Sequence, residues 1–515
     1  MILTFPVIAA ISIIGGGLFG FDISSMSAII AGPGYRCYFN QGDKPCVGPT
    51  SSTQGGIVAS MAAGSWLASL CSGFVSDSFG RKKAIMLGAI IWIIGCIIVS
   101  ASQNIAMLIV GRIINGMCVG ICSAQVPVYI SELAPPTKRG RLVGAQQWAI
   151  TWGIMIMFYI SYGCSFMDGP AAFRVPWALQ MIPAIILLFG MLFLPESPRW
   201  LASKDRWEEC ERVLVLVHGH GDPDSPWVAR EFREIKEWLE IERQSKQISY
   251  LTLFTPRYIN RTHIGLFTQI WSQLTGLTGN TLLVSSSIQY VINVVMTVPA
   301  LIWIDRVGRR PTLLVGSTLM ATWLFANAGV LASYGVRVPG GVDGIPEAQI
   351  RVTGSASKAV IACSYLFVAS FAPTWGPVSW IYPPELFPNQ LRGKAVAFTT
   401  SGNWAFNFAL GYFVPPAFEN ITWRTYIIFG VFCVAMTIHV FFMFPETAGK
   451  PLEQVTHMFE DPSGIKHIGT PAWKTKNYYS TSARMEKGEG LEKQLPDDRD
   501  ESPVRHENVD AAKSV

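Results

Sequence analysis

Apolar runs of about 20 residues, the length a helix needs to cross about 30 Å of hydrocarbon, recur along almost the whole of this chain. A first set falls at residues 5–29, 56–76, 84–102, 106–128, 142–164 and 174–194. A second set falls at 261–276, 281–303, 311–334, 358–383, 394–417 and 423–444. Hydrocarbon cannot satisfy backbone N–H and C=O groups, so runs of this length fold as helices, which satisfy their own. Composition agrees. Of 515 residues, 50% are hydrophobic and only 15% charged, against about 25% charged in a soluble domain. The expected fold class is an all-α, multi-pass membrane protein. The first run leads straight into Phe19-Gly20-Phe21-Asp22 with no cleavage site behind it, so it reads as a retained span and not a signal peptide.

Between the two sets lies a polar segment, 195–258, whose alternation around 207–218 and 227–245 predicts short surface helices. After Glu446 the chain turns charged, and 474–515 reads as a solvated, disordered tail. The expected organisation is an N-terminal transmembrane half (1–194), a loop with short helices (195–258), a C-terminal transmembrane half (259–446) and a tail (447–515). Lys and Arg collect at 81–83, 138–141, 306–310 and 392–394 and in the 195–258 loop, all on one side of the layer. That bias puts both termini and the middle loop on the cytoplasmic side. The net charge of +5 comes from these flanks and not from one basic patch, so nucleic acid is not an expected partner. The lipid bilayer is.

The 10 cysteines are scattered, and no Cys/His cluster has metal-ligand spacing. Cys37 and Cys46 share one polar loop, as a disulfide or as two free thiols. No nucleotide-binding Gly-rich loop, HExxH or GxSxG turn is present, so neither an enzyme nor a cofactor is expected.

The two halves repeat one design. Asp77-Ser78-Phe79-Gly80-Arg81-Lys82 is echoed by Asp305-Arg306-Val307-Gly308-Arg309-Arg310. Glu132 with Arg139-Gly140 is echoed by Glu385 with Arg392-Gly393, and Pro195-Glu196-Ser197 by Pro445-Glu446-Thr447. Charged clusters that merely end helices would not recur three times in the same order. Paired repeats of this kind place a substrate site near the midplane between them. Asp22 stands inside the first apolar run, where an ionised carboxylate costs about 2.5–3.5 kcal/mol. A partner or a proton must offset that cost, and Arg112 in the fourth run is the expected partner. A static pair joining the two helices is the plainer alternative.

With Gly111-Arg112, Pro127-Val128-Tyr129-Ile130-Ser131-Glu132 and Pro195-Glu196-Ser197-Pro198-Arg199-Trp200, these motifs resemble the sugar-porter family of the major facilitator superfamily over residues 5–455. Within it, the chain is most similar to fungal high-affinity hexose–proton symporters. The resemblance implies a major-facilitator fold of two six-helix halves and proton-coupled transport of a monosaccharide by alternating access, in the plasma membrane. It implies proton coupling at Asp22 with Arg112, since proton symporters of the family carry Asp there. It implies a sugar site at Phe19, Gln147, Gln273, Asn293, Gly376, Trp380, Asn403 and Trp404, where amides both donate and accept. It also implies a cytoplasmic gate of Arg81, Glu132, Arg139, Glu196, Arg309, Glu385, Arg392 and Glu446.

Helix seven departs from the family pattern. It reads Trp271-Ser272-Gln273-Leu274-Thr275-Gly276-Leu277-Thr278-Gly279-Asn280, with Ser272 for the first Gln, Thr278 for the Asn, and no aromatic outer half. Residues 261–276 would span about 24 Å, so a truncated helix seven and a tight turn at 278–280 are expected. The loss sets a second expectation beside transport: a non-transporting sugar sensor, or an inactive truncated form.

Overall fold

The computed structural model describes residues 5–30, 32–41, 46, 48–134, 139–219, 221–243, 249–275, 283–338, 349–450, 455–456, 458–459 and 465–475. The first half is built from α1 (Phe5–Ser12), α2 (Ile14–Ile29), α3 (Pro33–Tyr38), α4 (Ser51–Phe79), α5 (Arg81–Ser100), α6 (Ile105–Leu133), α7 (Arg139–Cys164), α8 (Ala171–Leu179) and α9 (Met181–Phe193). Three short helices follow, α10 (Pro198–Ser203), α11 (Trp207–Val217) and α12 (Pro226–Arg243). They close a small apolar core of their own around Leu201, Cys210, Leu214 and Val228. The second half is α13 (Ile259–Leu274), α14 (Leu283–Val307), α15 (Arg309–Tyr334), α16 (Ser355–Phe371), α17 (Trp375–Leu386), α18 (Asn389–Ile421) and α19 (Arg424–Met443). A two-stranded antiparallel pair, Val336–Arg337 with Ile350–Arg351, interrupts it. Apolar periodicity does not announce that pair.

Among the described residues, 9 stretches are long and apolar enough to cross a membrane. The more polar α7 and α18 and the short α13 complete two sets of six. Spans one, six and ten are each two helices in tandem. In span ten the break between α16 and α17 falls where Pro373 and Pro377 stand four apart. Each proline removes a helical N–H and clashes with the carbonyl one turn back. Several helices outrun their apolar cores. α6 runs to Leu133 where hydropathy predicts 128, because Ser131 and Glu132 are buried against other helices instead of facing lipid.

Within the first half α2 packs on α7, and α4 and α5 pack on α6; within the second, α15 packs on α16 and α19, and α13 on α17 and α18. The halves meet chiefly along α4 with α18 and α7 with α14. The described part of helix seven is α13, and residues 276–282 that follow it lie outside the described residues. α13 has 16 residues, about 24 Å at 1.5 Å per residue. The expected turn at 278–280 lies outside the described residues, as does the tail from 476.

Cys37 and Cys46 are disulfide-bonded, across a sequence separation of 9. Loop closure of that length stabilises by about 2–3 kcal/mol in the chain-entropy account. Reducing the bond, or Cys37→Ser, is therefore expected to lower the melting temperature of the purified protein by a few degrees, with no further loss when the two treatments are combined.

Candidate functional site

Asp22 is buried in α2 at 1% exposure and Arg112 in α6 at 2%. Arg112 Nη2 donates to Asp22 Oδ2 at 3.1 Å. Its Nε donates to the Ile57 carbonyl of α4 at 2.8 Å, so one guanidinium ties three helices together. One turn beyond Asp22, Met26 enters an apolar cluster with Ile29, Tyr35, Ile57, Phe173 and Trp177. The Tyr35 hydroxyl donates to Gln54 Oε1 at 3.3 Å. The pair is thus covered on the face opposite the arginine clusters.

Two indoles cross between the halves. Trp380 of α17 donates to Gln147 Oε1 of α7 at 2.9 Å. Trp404 of α18 donates to Ser123 Oγ of α6 at 3.0 Å, and the Phe19 ring meets it edge-on at 4.7 Å. Gly376 leaves room at the first crossing: a Cβ there would stand 3.3 Å from the Gln147 side chain, which would have to shift by a few tenths of an ångström.

A chain of neutral amides joins α13 to α18. Asn403 Nδ2 donates to Gln269 Oε1 at 2.8 Å and to Ser272 Oγ at 3.1 Å. Gln273 Nε2 donates to Asn403 Oδ1 at 3.0 Å, and Asn407 Nδ2 to Gln273 Oε1 at 3.0 Å. Gln269 Nε2 donates to the Ser379 carbonyl at 2.8 Å. Each of these bonds is replaceable by a bond to a ligand hydroxyl, since an amide supplies donor and acceptor on one plane. Asn293 lies apart on α14, with its Oδ1 buried and without a hydrogen-bond partner among the described residues. Gln269 and Asn407 are absent from the residues expected above. Their signal was spacing: Gln269 with Gln273, and Asn403 with Asn407, are four apart and share a helix face.

On the arginine-rich face the repeat recurs atom by atom. Arg81 Nε lies 3.2 Å from Glu132 Oε2, and Arg309 Nη2 lies 2.6 Å from Glu385 Oε1. Ser197 donates to Glu132 as Thr447 donates to Glu385. Tyr129 and Tyr382 donate to the carbonyls of Pro195 and Pro445, each at 2.6 Å.

The structure adds three features to this face. Glu196 and Glu446 accept backbone N–H groups, from Lys82 and Ser197 and from Arg309, Arg310 and Ala448. They cap the N-termini of α5 and α15, where a carboxylate meets unpaired donors and the positive end of the helix dipole. Gly80 and Gly308, at φ +101 and +96, open the room: a Cβ on either would strike that carboxylate. Burial still pushes the Glu196 carboxyl above the ordinary carboxylate value, against the pull of those two N–H donors. Arg392 donates to the Pro384 and Phe387 carbonyls and so caps the C-terminal end of α17. The pairs of Arg81 with Glu132 and of Arg309 with Glu385 each lie within one half. The crossing is made by Asp305, which accepts from the Arg141 backbone N–H at 3.1 Å, and by Asp77, 3.9 Å from Lys394 Nζ. Both aspartates were legible only as repeat letters. The Arg139 side chain lies outside the described residues.

The family described as sugar (and other) transporter matches residues 8–459. The high-affinity glucose transporter of Kluyveromyces lactis is 50% identical over 491 residues, covering 92% of this chain and 87% of that protein. High-affinity glucose transporter 1 of Candida albicans is 47% identical over 494 residues, covering 92% and 88%. Among solved structures, the proton:xylose symporter XylE bound to 6-bromo-6-deoxy-D-glucose is 26% identical with a TM-score of 0.74, covering 88% of this chain and 98% of that one.

Proposed function

The chain belongs to the sugar transporter family of the major facilitator superfamily, and on that premise we propose that it is a proton-coupled hexose transporter working by alternating access. Its relatives are porters and not enzymes. The observation that carries the reading is the buried Asp22–Arg112 pair at 3.1 Å, set in the same bundle as a chain of neutral amides and indoles between the halves. Asp22 takes up and releases the coupled proton as access changes, and Arg112 holds the carboxylate while it is charged. Gln147, Gln273, Asn403, Trp380, Trp404 and Phe19 receive the sugar, with Asn293 and Gly376 shaping the second half of the site. Amides exchange their mutual bonds for sugar hydroxyls, and the rings cover the apolar face of the pyranose. The gate is closed on the arginine-rich face, which the Lys and Arg bias assigns to the cytoplasm of a plasma-membrane protein with both termini inside.

Uptake of labelled glucose by cells lacking hexose carriers tests the reading: it is expected to rise as external pH falls. Gln147→Ala removes an acceptor from Trp380 and from the sugar. Net hydrogen-bond values of about 0.5–1.5 kcal/mol predict a KM raised about 2- to 10-fold with the transporter still at the surface. Unchanged KM would remove Gln147 from the site.

The 16-residue length of α13 favours a second reading, a sugar-binding or inactive form that does not transport. That reading predicts no uptake despite surface expression, and uptake gained when helix seven is lengthened to a full span.

A further inference from the structure

Two histidines take no part in the arrangement above. His263 lies near the start of α13 and His439 near the end of α19, with ring centroids 5.0 Å apart. The Trp271 indole donates to His439 Nδ1 at 2.9 Å. An indole N–H only donates, so Nδ1 must carry the lone pair and the ring must be neutral with its proton on Nε2. Trp271 immediately precedes Ser272 and Gln273, which both bond Asn403. The His439–Trp271 bond therefore tethers to α19 the stretch of helix seven that presents the amides.

We propose that His439 is a positioning residue for the sugar site, acting through Trp271, and that a proton on its Nδ1 releases the tether. The proposal rests on reading the α13–α18 amides as sugar ligands. A protonated Nδ1 faces the indole as donor against donor, and the bond is lost. His263, facing it from α13, would repel a second charge, so the pair takes up one proton at most. The other faces hold no competing titratable group in contact among the described residues. On the α17 side the Phe444 ring, 5.2 Å from His439, stands between it and Tyr382, whose hydroxyl is bound to Pro445. From α15, Arg310 points to the Phe441 carbonyl. Phe267 fills the remaining side.

The test uses the purified full chain in lipid nanodiscs, carrying Asp22→Asn so that Asp22 itself no longer titrates. Glucose binding is measured from pH about 7.5 down to about 3.5, low enough to protonate an imidazole whose charging burial disfavours. Affinity is expected to weaken about 5- to 10-fold toward acid, the loss of one hydrogen bond. Adding His439→Ala should give the weak affinity at every pH. Adding His439→Gln, whose amide oxygen accepts from Trp271 and does not titrate, should restore tight binding and flatten the profile. A His439→Gln profile that overlays the parent's, or unweakened binding by His439→Ala, overturns the proposal. A second readout needs no sugar: the emission assigned to Trp271 by difference from Trp271→Phe should be quenched in one step on acidification, and not with His439→Gln. Absence of that step also overturns the proposal. Failure of the parent to bind any hexose, with the step present, counts against the sugar reading alone and leaves the tether standing.

Discussion

Asp22→Asn is expected to reduce accumulation of labelled glucose to the level of the medium while leaving exchange across the membrane intact. The amide fills the same volume and still accepts from Arg112, so the three-helix tie through Asp22, Arg112 and the Ile57 carbonyl survives. What disappears is the ability to carry a proton. A coupled charge moving through 100 mV supplies about 2.3 kcal/mol, which is about 50-fold accumulation at about 1.4 kcal/mol per factor of ten. The variant should lose all of it. Accumulation continuing at the parental ratio would mean that the pair only joins helices and that protons do not drive this protein.

Glu385→Ala should be the most damaging single change on the arginine-rich face. It leaves the Arg309 guanidinium, 2% exposed, with Asp305 as its remaining carboxylate at 3.0 Å. Breaking a buried ion pair from one side costs about 3–5 kcal/mol, because a charge is left inside without its partner. Asp305 also holds the Arg141 backbone across the interface, so the damage spreads from one half to the contact between halves. We expect a fall of several degrees in melting temperature and at least a tenfold loss of uptake. Lys394→Ala removes a looser, part-exposed pair at 3.9 Å and should cost about 0–1 kcal/mol. Equal effects from the two changes would overturn this ranking.

Much of the candidate site was readable before any coordinates. A carboxylate inside an apolar run is costly wherever the run sits, so Asp22 identified itself and called for a cation. The repeated Gly-Arg, Glu and Pro-Glu motifs identified the charged face because the chain writes them twice. Other parts were not readable. Glu196 and Glu446 look only like ion-pair partners in a list of charges; they also cap helices, because the glycine turns at positions 80 and 308 bring bare N–H groups to them. Gln269 and Asn407 carried only a spacing of four, which serves equally for helix packing.

Hydropathy along the chain decided that it crosses a membrane in two repeated sets of six, since the span of an apolar run is a local property. Tertiary structure alone decided which polar groups meet: Trp380 with Gln147 across 233 residues, Trp271 with His439 across 168, Asp305 with Arg141 across 164. A buried polar group must find a partner somewhere, but composition does not say where. Only the crossing of helices distant in the chain, at a few ångströms, makes that choice.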